Sequence, residues 1–135
     1  GYLSLLVTNS NSCTCTFTQM AGAEALLFER NSVQNMTNEF RRRRDFLFDR
    51  ISKIEGVQIV KPNGAFYYFP NIKSFGLTSR EMAAYLLQEA GVALLPGTCF
   101  GEQGEGYLRI SFSNSMENIS EAMDRIELAL KRLKA

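Results

Sequence analysis

The chain has 135 residues, a formal net charge of +1 and 45% apolar residues, which places it among ordinary globular proteins of single-domain size. A charge so near neutral argues against a dedicated polyanion binder, and no run of 18 or more apolar residues offers a membrane span. There is no histidine, so the commonest general base is missing and any acid–base chemistry must come from other groups.

The three cysteines, Cys13, Cys15 and Cys99, are odd in number. With no basic-then-apolar leader in front of them, they read as reduced thiols of a cytoplasmic protein. Cys13 and Cys15 are too close for an ordinary disulfide, and without histidine they complete no zinc site. The chain opens abruptly at Gly1-Tyr2, which reads as a cut rather than a native start.

Taken in order, residues 1–7 are mainly apolar. Thr8 to Thr16 is rich in Ser, Thr and Asn and predicts a loop. A helix follows from about Phe17 to Leu27, with Gly22 marking close packing. Asn31-Ser32 is a break and a cap. From Val33 the positions Val33, Met36, Phe40, Leu47, Ile51 and Ile54 form a helical stripe that ends at Gly56. The four arginines Arg41–Arg44 fan around that helix, since successive residues turn by about 100°. Glu39–Arg43 and Arg41–Asp45 stand at i,i+4. Arg44 alone falls on the apolar stripe, either snorkelling to water or meeting another domain or subunit.

Val57–Val60 and Ala65–Phe69 predict two strands joined by the turn Pro62-Asn63-Gly64, hence a hairpin. Thr78-Ser79-Arg80-Glu81 has capping-box form and opens a helix. That helix turns Met82, Ala83, Leu86, Leu87 and Ala90 inward and stops at Gly91. Val92–Leu95 reads as a strand covered on both faces. Tyr107–Ser113 alternates with a period of two. Between them Pro96–Gly106, with four glycines and a proline, opposes regular structure. Asn114-Ser115-Met116-Glu117 caps a last helix with Ile119, Ala122, Met123, Ile126, Leu130 and Leu133 on one side. The order implies an α+β fold, a two-layer arrangement in which a small open sheet of about four strands has helices mainly on one face. No linker, repeat or low-complexity segment marks a second domain within 1–135.

Arg109 is the residue that needs a reason. If Leu108 and Ile110 face one layer, Arg109 shares the other face with Tyr107 and Ser111. A guanidinium on an interior strand is costly unless an anion meets it, and its fork of donors matches a carboxylate. From spacing alone that carboxylate is either an internal Asp or Glu or a ligand.

Four motifs occur in one order: Ser10–Leu26, Glu39–Leu47, Pro62–Ile72 (PxGAFYYFPxI) and Leu94–Ser113 (LLPGTxFGExGEGYLRISFS). Together they resemble the C-terminal, small-domain part of the class I/II, fold-type I pyridoxal-phosphate-dependent aminotransferases, the aspartate aminotransferase-like family. The resemblance implies transfer of an amino group between an amino acid and a 2-oxo acid through pyridoxal phosphate in a homodimer. It implies that Arg109 clamps the substrate α-carboxylate and that an aromatic of the GAFY motif, Phe66 or Tyr67, stands at the substrate pocket. It also implies that Asn11 and Ser12, in the polar stretch Asn9–Cys13, approach the cofactor phosphate of the neighbouring subunit. The Schiff-base lysine and the large cofactor-binding domain would lie on upstream polypeptide. This segment would then hold no catalytic residue and no metal site, and alone would be inactive. The rival readings are a non-enzymatic amino-acid-binding regulatory domain, in which Arg109 grips a carboxylate with no cofactor, and a nucleic-acid module driven by Arg41–Arg44.

Overall fold

The computed structural model describes residues 1–28 and 31–134. These form two compact units, Gly1–Thr37 and Asn38–Ala135. The boundary falls inside a helix, so no turn or linker residue announces it in the sequence.

The first unit carries α1 (Tyr2–Asn11) and α2 (Thr16–Leu27), and α3 (Asn31–Ile51) begins in it. Neither α1 nor α2 buries a residue. The loop expected over Thr8–Thr16 starts only after Asn11. Thr8, Asn9 and Ser10 each turn the side chain back onto the carbonyl four residues earlier, that of Ser4, Leu5 and Leu6. This internal bonding lets polar residues stay helical where their composition favours a turn. Ser12 ends the helix at φ 57°.

The second unit holds every buried apolar residue among those described. Leu47 and Ile51 of α3 meet Tyr68, Leu108 and Phe112 of the sheet region. Met82 and Leu86 of α4 (Ser79–Ala90) and Met123, Ile126 and Leu130 of α5 (Met116–Lys134) complete the cluster. Each such side chain fully removed from water contributes about 1.5–3 kcal/mol, so this cluster dominates the stability.

α3 stops at Ile51, short of the expected Gly56. The chain there tightens into i→i−3 bonds, Ile54 N to Ile51 O at 3.0 Å and Val57 N to Ile54 O at 3.1 Å. Ser74 and Lys134 take up the carbonyls of Gly56 and Glu55 at 2.5 and 2.9 Å. Arg44 is held within the second unit: Nε donates to Asp45 at 2.9 Å and Nη1 reaches the Pro62 carbonyl at 3.4 Å. Glu39 binds Arg42 as well as Arg43, whereas Asp45 pairs with Arg44 and Lys61 rather than with Arg41.

The sheet is antiparallel with β3 (Leu108–Ser111) at its centre, β1 (Tyr67–Tyr68) on one side and β2 (Leu95–Pro96) on the other. The expected fourth strand, Val57–Val60, reduces to one bridge between Gln58 and Asn71. The expected hairpin therefore does not form, and Tyr67–Tyr68 pairs with β3 instead. β2 is an edge strand with Leu95 exposed, not a strand covered on both faces. Tyr68, Leu108 and Ile110 turn to the helices.

α4 carries the expected capping box, with Thr78 and Glu81 bonded reciprocally, and ends at Gly91 with φ 65°. Leu87, expected inward, is 54% exposed. Tyr85 instead reaches across to the Ala129 carbonyl of α5 at 2.8 Å. Ser115 caps α5 by accepting from the Asn118 amide at 3.2 Å. No helix among the described residues is long and apolar enough to cross a membrane.

Candidate functional site

The face of the sheet turned away from the helices carries the residues of interest. Period-two alternation puts Arg109 there, opposite Leu95 on β2. Tyr67 lies opposite Ser111, so it is the diagonal neighbour of Arg109, near enough for long side chains to meet. They do: the Arg109 Cζ lies 4.4 Å from the centroid of the Tyr67 ring. A second ring, that of Phe100, stands at the same 4.4 Å.

No carboxylate among the described residues pairs with Arg109, and its guanidinium donates no hydrogen bond to them. Arg42, Arg43, Arg44 and Arg50 behave differently, each being held by Glu or Asp. The nearest candidate in sequence, Glu105, is committed elsewhere. Its carboxylate accepts from the amides of Ser79 at 2.8 Å and Gly106 at 3.1 Å. Arg109 is half-buried, and the two rings offset only part of what a missing counter-ion costs. The planar fork of a guanidinium matches the two oxygens of a carboxylate.

Phe66 precedes β1, so strand alternation does not force it away from Tyr67, and the two rings lie 4.5 Å apart. Tyr67 goes to the guanidinium. Phe66 goes to Phe40 at 5.9 Å, and Phe40 in turn packs on the buried Phe112 at 6.2 Å. Phe100 leads the 3₁₀ turn Gly97–Phe100 into the loop and meets Phe69 edge-on at 5.7 Å. Sequence reasoning gave Phe100 no role. The available signal was a large apolar side chain inside a glycine-rich loop, where nothing local could cover it; it remains 51% exposed.

The loop Pro96–Gly106 is fixed to the start of α4 by a residue that was also overlooked. Ser79 is fully buried. Its hydroxyl accepts from the amides of Gly106 at 2.8 Å and Tyr107 at 3.1 Å and lies 3.2 Å from the Gly104 carbonyl, to which it donates. Gly97 and Gly104 stand back to back, and a Cβ on either would collide with the other's carbonyl oxygen.

Asn11 and Ser12 lie in the first unit, at the end of α1, and both are exposed. The carbonyls that finish a helix disfavour an anion there. The amino end of α2 begins three residues on, with Cys15 as its N-cap. The Cys15 thiol lies 2.9 Å from the Thr18 hydroxyl, which holds it below the usual thiol range. All three cysteines are free and exposed.

Residues 2–126 match the family "Aminotransferase class I and II". The chain belongs to that family. It is 47% identical over 125 residues to the aspartate aminotransferase of Pyrococcus abyssi, covering 91% of this chain and 32% of that protein. It is 46% identical to the aromatic-amino-acid aminotransferase 2 of Thermococcus litoralis, with the same coverage. Among solved structures, the aromatic aminotransferase of Pyrococcus horikoshii superposes with a TM-score of 0.88 at 44% identity, over 94% of this chain and 34% of that one. This aminotransferase segment thus spans about a third of the length of the relatives it matches. Relatives named for an acidic and for aromatic amino acids stand at nearly equal identity. Overall likeness therefore does not separate side-chain preferences, whereas the carboxylate is common to every amino acid.

The segment's donors do not build a site for pyridoxal phosphate by themselves. Lys53, Lys61 and Lys134 are held by Asp49, Asp45 and the Glu55 carbonyl, and Lys73 lies over the Tyr107 ring. Asn11 and Ser12 offer one amide and one hydroxyl, enough for a contact to a phosphate but not for a site.

Proposed function

We propose that this chain is the C-terminal part of a pyridoxal-phosphate-dependent aminotransferase that moves an amino group between an amino acid and a 2-oxo acid. In this reading Arg109 receives the substrate α-carboxylate. One observation carries it: a half-buried guanidinium on the central strand, in contact with two rings and without a carboxylate partner among the described residues. Two parallel N–H bonds fix both the position and the plane of the carboxylate, and so orient the Cα substituents.

The cofactor and its lysine belong to polypeptide outside this segment, and so do most contacts to the substrate side chain. Asn11 and Ser12 contribute amide and hydroxyl donors toward the cofactor phosphate of a second subunit in a cytoplasmic homodimer. The segment alone is inactive.

Arg109→Lys in the complete enzyme tests the reading, since lysine keeps the charge and loses the fork. KM for the amino acid should rise about tenfold or more, one hydrogen bond to a charged group being worth about 1.5–3 kcal/mol. An unchanged kcat/KM would remove the role. A lysine-linked cofactor formed on the 135-residue chain alone would overturn the division of labour.

A further inference from the structure

Arg109 has partners, but none among the described residues neutralises it. The described residues contain five other cation–ring contacts, at 5.2 to 5.9 Å. The two at Arg109 are nearly 1 Å closer, and both fall on one guanidinium. A ring lying over a guanidinium occupies its face and leaves the N–H groups in its plane.

We propose that Tyr67 and Phe100 are positioning residues of the carboxylate site, which flank the Arg109 guanidinium and leave its in-plane donor edge to the ligand. The proposal rests on the reading of Arg109 as the carboxylate receptor. It adds the device that keeps the fork in place before the substrate arrives. A free arginine side chain samples many rotamers, and ordering it on binding subtracts from affinity. Two ring contacts that already hold the side chain reduce that loss.

Both rings are themselves held. Tyr67 packs on Phe66 at 4.5 Å, and Phe66 on Phe40 and thence on the buried Phe112. Phe100 is backed by Phe69, and Phe69 by Tyr107 at 6.0 Å. The loop that carries Phe100 is tied to α4 through the Ser79 hydroxyl and the Glu105 carboxylate. The two rings come from different elements, a strand and a loop, and converge on one side chain. Ordinary core packing does not explain Phe100, half of which remains in water. The Tyr67 hydroxyl donates to none of the described residues, so the ring face, not the phenol, is what Tyr67 brings to Arg109.

The test uses the complete enzyme carrying this segment, with 3-phenylpropanoate as carboxylate probe and 3-phenylpropanamide as its uncharged control, titrated by calorimetry. Tyr67→Leu and Phe100→Leu should each weaken the carboxylate about tenfold, the scale of a desolvated cation–ring contact. They should leave the amide's affinity where it was, and the loss in turnover should fall mainly in KM. Tyr67→Phe and Phe100→Tyr, which keep a ring, should restore most of that affinity. Nitrogen-15 relaxation of the Arg109 side chain should report a rigid Nε–H before substitution and an averaged one in the leucine variants.

Leucine variants that hold the carboxylate normally, while Arg109→Lys does not, would overturn the positioning role and leave the receptor reading intact. Normal carboxylate affinity in Arg109→Lys would overturn both. Equal loss of carboxylate and amide would show that the rings touch the ligand itself and would also overturn the proposal. So would an Arg109 Nε–H that remains rigid without either ring.

Discussion

The amide nitrogen of Ser79 and the carboxylate of Glu105 lie 2.8 Å apart. Ser79 is the first residue of α4, where amides have no partner within the helix, so the loop supplies from 26 residues away what a local cap cannot. The Ser79 hydroxyl returns the arrangement by accepting from Gly106 and Tyr107. Ser79→Ala should cost about 1–3 kcal/mol, since a buried network loses its centre. The two amides keep weaker acceptors in Glu105 and the Gly104 carbonyl, which sets the loss below that of two orphaned donors. Glu105→Gln keeps an acceptor and loses only charge at the helix start, about 0.3–1 kcal/mol. Urea unfolding should rank the two in that order; the reverse order would mean that charge, not the hydroxyl, secures the loop.

Gly97 and Gly104 make a sharper prediction. Neither has room for a methyl group, because each faces the other's backbone rather than a side chain that can move aside. Gly97→Ala or Gly104→Ala should destabilise by about 2–3 kcal/mol or more. Gly64→Ala is the control, as open space surrounds that position and its backbone is not left-handed. Thermal midpoints measured side by side should separate the loop pair from Gly64 by several degrees.

Tyr68 links β1 to α3 through a hydrogen bond from its hydroxyl to the Arg44 carbonyl, 2.9 Å long. Burial pushes its phenol up to about 12 from 10.0. The fold therefore prefers the neutral phenol. Its contribution is complete below pH 10 and is lost as pH rises through about 12. Tyr68→Phe keeps the ring against Phe112 and Phe48, should cost about 1 kcal/mol, and should flatten the alkaline limb of the stability curve. An alkaline limb of unchanged slope would place the titrating group elsewhere.

Glu39 titrates in the opposite direction. Hydrogen bonds from Arg42 and then Arg43 pull its carboxyl down to about 2 from 4.5. A depressed pKa stabilises the fold above the unfolded value and fades as pH falls toward 2. Carbon-detected NMR titration of Glu39 should place its midpoint at about 2. Glu39→Gln should remove this part of the acid transition. A midpoint of Glu39 near 4.5 would mean that the two arginines are solvated rather than paired.

How far the sequence led is best seen in particular residues. Alternation along Tyr107–Ser113 placed Arg109 on the outer face, and the cost of a lone interior charge marked it as the residue to explain. The capping box at Thr78–Glu81 and the stop at Gly91 were readable because each is a local device with fixed spacing. Phe100 was not readable. Its contact with Arg109 depends on a loop folding back across 9 residues, and no periodicity encodes that. The failed hairpin has the same origin, since Tyr67 found its partner in Ser111, far along the chain, rather than across the nearby turn. Thr8–Asn11 misled because side chains that favour turns in isolation can bond back into a helix instead.

The two opening helices contribute no buried side chain, while every member of the apolar cluster lies beyond Thr37. Resistance to heat or protease should accordingly reside in the later portion. A trimmed polypeptide starting at Asn38 should melt at the same temperature as the 135-residue form. Chymotrypsin acting on the longer form should cut its leading helices first and leave a resistant later portion.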